Sequence, residues 1–235
     1  CPSIAHAAVE AHKEGTYLSL YRHVSEGWVD RRLFSHYWTI FYNDVSLRGI
    51  LYDLGFGSYV LDAFACADSR VAVNSTHEVT KAGVEDAGVL HAMVEESREY
   101  YRSAPLFLHR DPYSQKDVLE LLEKNNTFIA WEAGEAIGFI HVSVSERDNV
   151  IDLSLCRSGL IDEIGAYIRP EFRGKGLGKE LVRQVFDCCR DSGIGSVHVD
   201  YETANLFANK FWKKYFTPML LSVRRTINRD IDQGD

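Results

Sequence analysis

No stretch of 18 apolar residues occurs in these 235 residues, which excludes a membrane-spanning helix. Positive charge is scarce. The 26 Lys and Arg stand against 34 Asp and Glu, and the net charge of −8 argues against a general nucleic-acid surface. The N-terminus lacks the basic-then-apolar pattern of a secretory leader, so a cytoplasmic protein is expected. A chain that opens at Cys1 rather than Met is expected to have lost preceding residues. The five cysteines (1, 66, 156, 188 and 189) are odd in number and form no C-x-x-C pair, so neither a disulfide framework nor a metal site is expected. What remains is 46% apolar and 26% charged, as in an ordinary soluble protein. The length allows one large domain or two small ones.

The residues from Pro170 to Phe186, PEFRGKGLGKELVRQVF, organise the rest. Leu177, Leu181, Val185 and Cys188, flanked by Val182, Phe186 and Cys189, form an apolar stripe at helical spacing. The stripe makes buried thiols of the two cysteines. Upstream, GLIDEIGAYIRP reads as a strand, with Ile161, Ile164, Tyr167 and Ile168. The unit is therefore strand, basic glycine loop, helix. Glycines let the backbone turn its N–H groups onto a ligand, and a helix N-terminus behind them favours an anion. With Arg173, Lys175 and Lys179 alongside, the loop suits a pyrophosphate. The spacing is not G-x-G-x-x-G, because Lys179 stands where the third glycine belongs. It is not a P-loop either, because Glu180 follows that lysine.

What the residues spell is R-x-x-G-x-G, at Arg173, Gly176 and Gly178. This resembles the acetyl-CoA loop of the GNAT superfamily of N-acetyltransferases. The approach from Ile168 to Gly178 is similar to that family's V-x-P-E-[FY]-R-G-K-G-[IL]-G. The resemblance covers residues 77–227, where strand, two helices, three strands, helix, strand, helix and strand follow one another. It implies a mixed α/β GNAT fold with a largely antiparallel central sheet flanked by helices. An earlier strand, capped helix, Gly-Phe and strand (36–67) repeats the order of the last three elements. The expected division is a partial GNAT-like helical-plus-strand unit over 1–75, without a phosphate loop, and an acetyltransferase domain over 76–235.

The resemblance further implies acetyl-CoA as donor and a small-molecule or peptide amine as acceptor, without nucleic acid or membrane; a homodimer is compatible with it. Arg173, Gly174, Lys175, Gly176, Leu177 and Gly178 would hold the cofactor's phosphates. Backbone N–H groups of Tyr167, Ile168 and Arg169 would face the acyl carbonyl, and Asn205 would touch the pantetheine arm. Proton removal from the amine falls to Glu163, one strand repeat from Tyr167, with Asp162 facing the other way and Asp200 and Glu202 as alternatives. The acid is where the chain departs from the family. Trp212 occupies the usual tyrosine position, and an indole N–H is no acid at neutral pH. Tyr215, one turn on, is the substitute, with Tyr201 a more distant choice. That departure also keeps a second possibility open, a non-catalytic acyl-CoA-binding or regulatory module.

Overall fold

The structure is a computed structural model that describes residues 3–72, 77–145 and 157–232. In chain order its principal elements are α1 (Lys13–Asp30), β1 (Ser35–Phe41), α2 (Val45–Asp53), β2 (Gly57–Cys66) and β3 (Glu78–Lys81). Next come α3 (Ala87–Arg102), α4 (Gln115–Lys124), β4 (Asn126–Glu132), β5 (Glu135–Ser145), β6 (Ser158–Ile161) and β7 (Ala166–Ile168). The chain closes with α5 (Leu177–Asp191), β8 (Ser196–Glu202), α6 (Leu206–Trp212) and β9 (Thr217–Thr226). The fold is mixed α/β, with strands paired largely antiparallel. No helix among the described residues is long and apolar enough to cross a membrane. Cys1 and Cys156 lie outside the described residues; Cys189 is buried and Cys188 half-buried.

One expectation fails locally. The single strand expected from Leu160 to Arg169 is two strands, β6 and β7, separated by a turn. Gly165 donates its N–H to the Asp162 carbonyl at 2.6 Å, and both Glu163 (φ +55°) and Gly165 (φ +63°) adopt left-handed backbone. Four apolar or β-branched neighbours hide such a turn from a periodicity count, whereas the glycine is what permits it.

The chain forms two compact units, Cys1–Ala63 with Tyr201–Asp235, and Phe64–Asp200. This differs from a division at residue 75. The cause is the antiparallel pairing of β1 with β9, Ser35 opposite Thr226 through Phe41 opposite Leu220. That pairing groups the last strand with the N-terminal segment. Trp38, Ile40, Leu47, Leu51, Leu220 and Val223 are buried there. The repeated element order is present in the caps as well. Asp44 accepts the Leu47 N–H at the start of α2, and Asn205 accepts the Ala208 N–H at the start of α6.

In the second unit the strand order is β8, β6, β5, β4, β3, with β7 also on β5; β6 and β8 run parallel. Strand alternation sorts the side chains. Ile129, Phe139 and Tyr167 join Leu90, Met93 and Val118 of α3 and α4 in one core cluster. Ile140 and Val142 turn to the opposite face, which the apolar stripe of α5 covers. Gly159 sits at that contact, where an added Cβ would lie 2.5 Å from Cys189 Sγ and 3.2 Å from Val142. Gly159→Ala should therefore destabilise the protein by about 1–3 kcal/mol in urea unfolding, through overpacking. Adding Cys189→Ala should recover part of that loss; strictly additive costs would show that the clash is relieved elsewhere.

Candidate active site

The turn between β6 and β7 builds the site. The parallel pairing of β6 with β8 ends at Ile161 opposite Val199, and among the described residues β7 pairs only with β5. One edge of β7 is therefore open. Arg169 N–H donates to the Ile137 carbonyl at 3.1 Å, His141 N–H donates to Gly165, and Tyr167 lies opposite Phe139. Ladder alternation then turns the Ile168 N–H away from β5, onto the open edge. Of the three backbone groups singled out in sequence, Tyr167 and Arg169 are thus committed to β5 and Ile168 is not. Gly138 allows this close approach, since a Cβ there would meet Ile168 Cγ1 at 3.0 Å and the Tyr167 carbonyl at 3.1 Å.

Beyond β7, Pro170–Phe172 forms a single 3-10 turn and the glycine loop follows. Gly174 (φ +78°) and Gly176 (φ +88°) are both left-handed, and nothing lies within 4 Å of a Cβ built on either. Gly176 caps the 15-residue α5 without any side-chain hydrogen bond, so the first N–H groups, at Leu177 and Gly178, point out of an uncapped helix end. Leu177 itself is buried and anchors the helix. Lys175 leans over the Phe172 ring. Arg173 behaves differently from a free phosphate ligand: its Nε–H donates to the Ile168 carbonyl at 2.7 Å, and its guanidinium stacks over Tyr100 and Tyr167. It braces the loop against β7 while keeping its charge beside it. The Arg169 side chain grips Glu96 at 2.8 and 2.9 Å and also pairs with Glu135. It joins α3 to the β4–β5 turn.

Glu163 does not share a strand face with Tyr167, because it rides on the turn. Its half-exposed carboxylate lines a cavity of about 690 Å³ together with Arg110, Tyr113, Asp117, Glu120 and Lys124. Burial, and then the charge of Asp162, hold its carboxyl above the usual range. Asp162 is likewise raised by burial, against a 2.9 Å hydrogen bond from the Ser143 hydroxyl. Burial first, and then the Glu163 charge, raise the Tyr113 phenol. His141 is fully enclosed beside the turn, with Nε2 3.6 Å from Glu163 Oε2. Burial lowers its pKa to about 4, so the ring is neutral at physiological pH. Tyr113, Ser143 and His141 escaped notice in the sequence. Alternation along β5 was the available signal, since His141 and Ser143 share the Phe139 face.

Of the remaining sequence candidates, Asp200 ends the second unit, and Tyr201, Glu202, Asn205, Trp212 and Tyr215 lie in the first. The Asn205 side chain is buried and caps α6. Tyr215 is half-buried against Phe211, and burial raises its phenol. Trp212 is buried between Phe211 and Phe216, so its indole serves as core. Tyr201 is buried, its hydroxyl pushed up to about 12.

The family model of the acetyltransferase (GNAT) family matches residues 90–216. No curated protein matches by sequence. Among solved structures, a GCN5-related N-acetyltransferase from Sphaerobacter thermophilus is 14% identical with a TM-score of 0.58, over 93% of this chain and 70% of that one. A functionally unknown conserved protein from Staphylococcus epidermidis ATCC 12228 is 11% identical with a TM-score of 0.53, over 92% of this chain and 81% of that one. At these identities the likeness is one of fold.

Proposed function

The chain belongs to the acetyltransferase (GNAT) family, and on that footing we propose that it transfers an acetyl group from acetyl-CoA to a primary amine by direct attack. It is an acyltransferase, which displaces the binding-module alternative that Trp212 raised. One observation carries the proposal. The Asp162–Gly165 turn ends the β6–β8 pairing, opens an edge of β7 and brings Glu163 to the mouth of a cavity, all within one compact unit.

The residues suit the donor. The empty space over Gly174 and Gly176, the uncapped start of α5, and the charges of Lys175 and Lys179 would take a pyrophosphate. When bound, acetyl-CoA supplies the activated acyl thioester. The Ile168 N–H would face the acyl oxygen, where a fixed donor favours developing negative charge. Glu163 would take the proton of the attacking ammonium, directly or through one water. Tyr215, kept protonated at neutral pH, is the proposed acid toward the leaving thiolate, and Asn205 the proposed pantetheine contact. Asp111, Asp117, Glu120 and Glu163 outnumber Arg110 and Lys124 around the cavity, which favours a cationic small-molecule or peptide amine. Residues 1–75, without a glycine loop, are proposed to be a partial repeat with no site of its own. A cytoplasmic setting completes the proposal.

Release of CoA from acetyl-CoA, followed with a thiol reagent across diamines, polyamines and peptide N-termini, tests this. At least one amine should raise the rate well above background hydrolysis. Tight acetyl-CoA binding with no amine-dependent release across the panel would refute amine acylation.

A further inference from the structure

We propose that His141 is a positioning residue, which donates its Nε2–H to the Glu163 carboxylate and holds that carboxylate ionised and aimed. Its catalytic meaning rests on Glu163 as the base. The side chain of His141 is 0% exposed, where an unpaired ring nitrogen is costly. One nitrogen is satisfied across the β4–β5 pair: Nδ1 lies 2.8 Å from the Thr127 hydroxyl. The other, Nε2, has no hydrogen-bond partner among the described residues and faces Glu163 Oε2 at 3.6 Å. A small rotation of the half-exposed carboxylate, 36% accessible, closes that gap to hydrogen-bond length.

The tautomer follows from the two neighbours. A carboxylate only accepts, so the proton belongs on Nε2, and the Thr127 hydroxyl then donates to Nδ1. Because burial keeps the ring neutral at physiological pH, the contact is a neutral donor on a charged acceptor and not an ion pair. The backbone of the same residue reinforces it, since His141 N–H donates to the Gly165 carbonyl at 2.8 Å and pins the turn that carries Glu163. Other charged groups also face the pair. Asp162 on the turn raises Glu163 and Lys124 of α4 lowers it, while Tyr113 on the loop before α4 feels its charge. His198 of β8 acts on Asp162. Among the described residues none of these is hydrogen-bonded to the Glu163 carboxylate.

The test titrates Glu163 directly, by carboxyl ¹³C shifts in Glu-labelled protein, with the resonance identified by its loss in Glu163→Gln. His141→Phe removes the donor while keeping a ring, and should raise the Glu163 pKa by about one unit. His141→Gln, which offers an amide N–H near the place of Nε2, should restore most of that shift. An unchanged pKa in His141→Phe overturns the proposal. A fall would overturn it too, because the imidazole would then act only by excluding water. If His141→Phe does not fold, the ¹⁵N spectrum of the wild-type histidines decides: an Nε2–H tautomer for His141 supports the contact and an Nδ1–H tautomer refutes it. The base assignment fails separately. Were Glu163→Gln to leave turnover unchanged while the pKa shift appeared, the hydrogen bond would stand and its catalytic role would not.

Discussion

Glu163→Gln is expected to lower turnover by about 10²-fold while leaving acetyl-CoA affinity nearly unchanged. The amide keeps the shape of the side chain and a carbonyl acceptor, but it cannot receive a proton. Burial and the Asp162 charge raise the Glu163 carboxyl, so wild-type activity should climb with pH through a limb lying above the ordinary glutamate range. The variant should lose that limb. The sign of the stability effect provides a control. A carboxyl raised on folding favours the folded state below its unfolded pKa, and that advantage is lost as pH rises through the folded value. The glutamine escapes this loss, so the variant should melt no lower than the wild type at pH 7. Unchanged turnover, or lost acetyl-CoA binding, would sink the assignment.

Gly176→Val should weaken acetyl-CoA binding by about 100-fold in calorimetry, through backbone strain and through filling the space a phosphate needs. The residue sits at φ +88°, and nothing lies within 4 Å of an added Cβ. The protein alone therefore has room for the side chain, but its backbone disfavours a β-branched residue. Gly134 is the matched control, with φ +81° and equally open space at the β4–β5 turn. Gly134→Val should cost comparable stability and leave affinity alone. Equal losses of affinity in both variants would trace the effect to general strain and refute a phosphate role for the loop.

The order of elements from β3 to β9 was legible because each has its own signal. Ser114 caps α4, Gly134 turns β4 into β5, and Gly193 (φ +69°) ends α5. The strand–loop–helix unit around Gly176 was legible for the same reason. The turn at Asp162–Gly165 was not, because Ile161, Ile164 and Ile168 keep a strand-like composition through it. That one miss displaced Glu163 from its expected face. It also concealed His141 and Tyr113, whose relevance depends on contacts between elements far apart in sequence. Arg173 was legible as a basic residue of the loop, but its brace on the Ile168 carbonyl depends on how the loop folds back on β7.

The pairing of β1 with β9 also governs the order of assembly on a growing chain. Ser35 meets Thr226, and Phe41 meets Leu220, so the contact closes across nearly the whole sequence. Trp38 and Ile40 are synthesised long before the β9 residues that pair with their strand, Val223 and Leu221. Residues 64–200, a compact unit of their own, can collapse on the glycine-loop helix in the meantime. The segment that carries β1 is thus held waiting for β9 while the unit between them folds. During that wait its aromatic strand is an unpaired edge, the state in which a chaperone has most to shield.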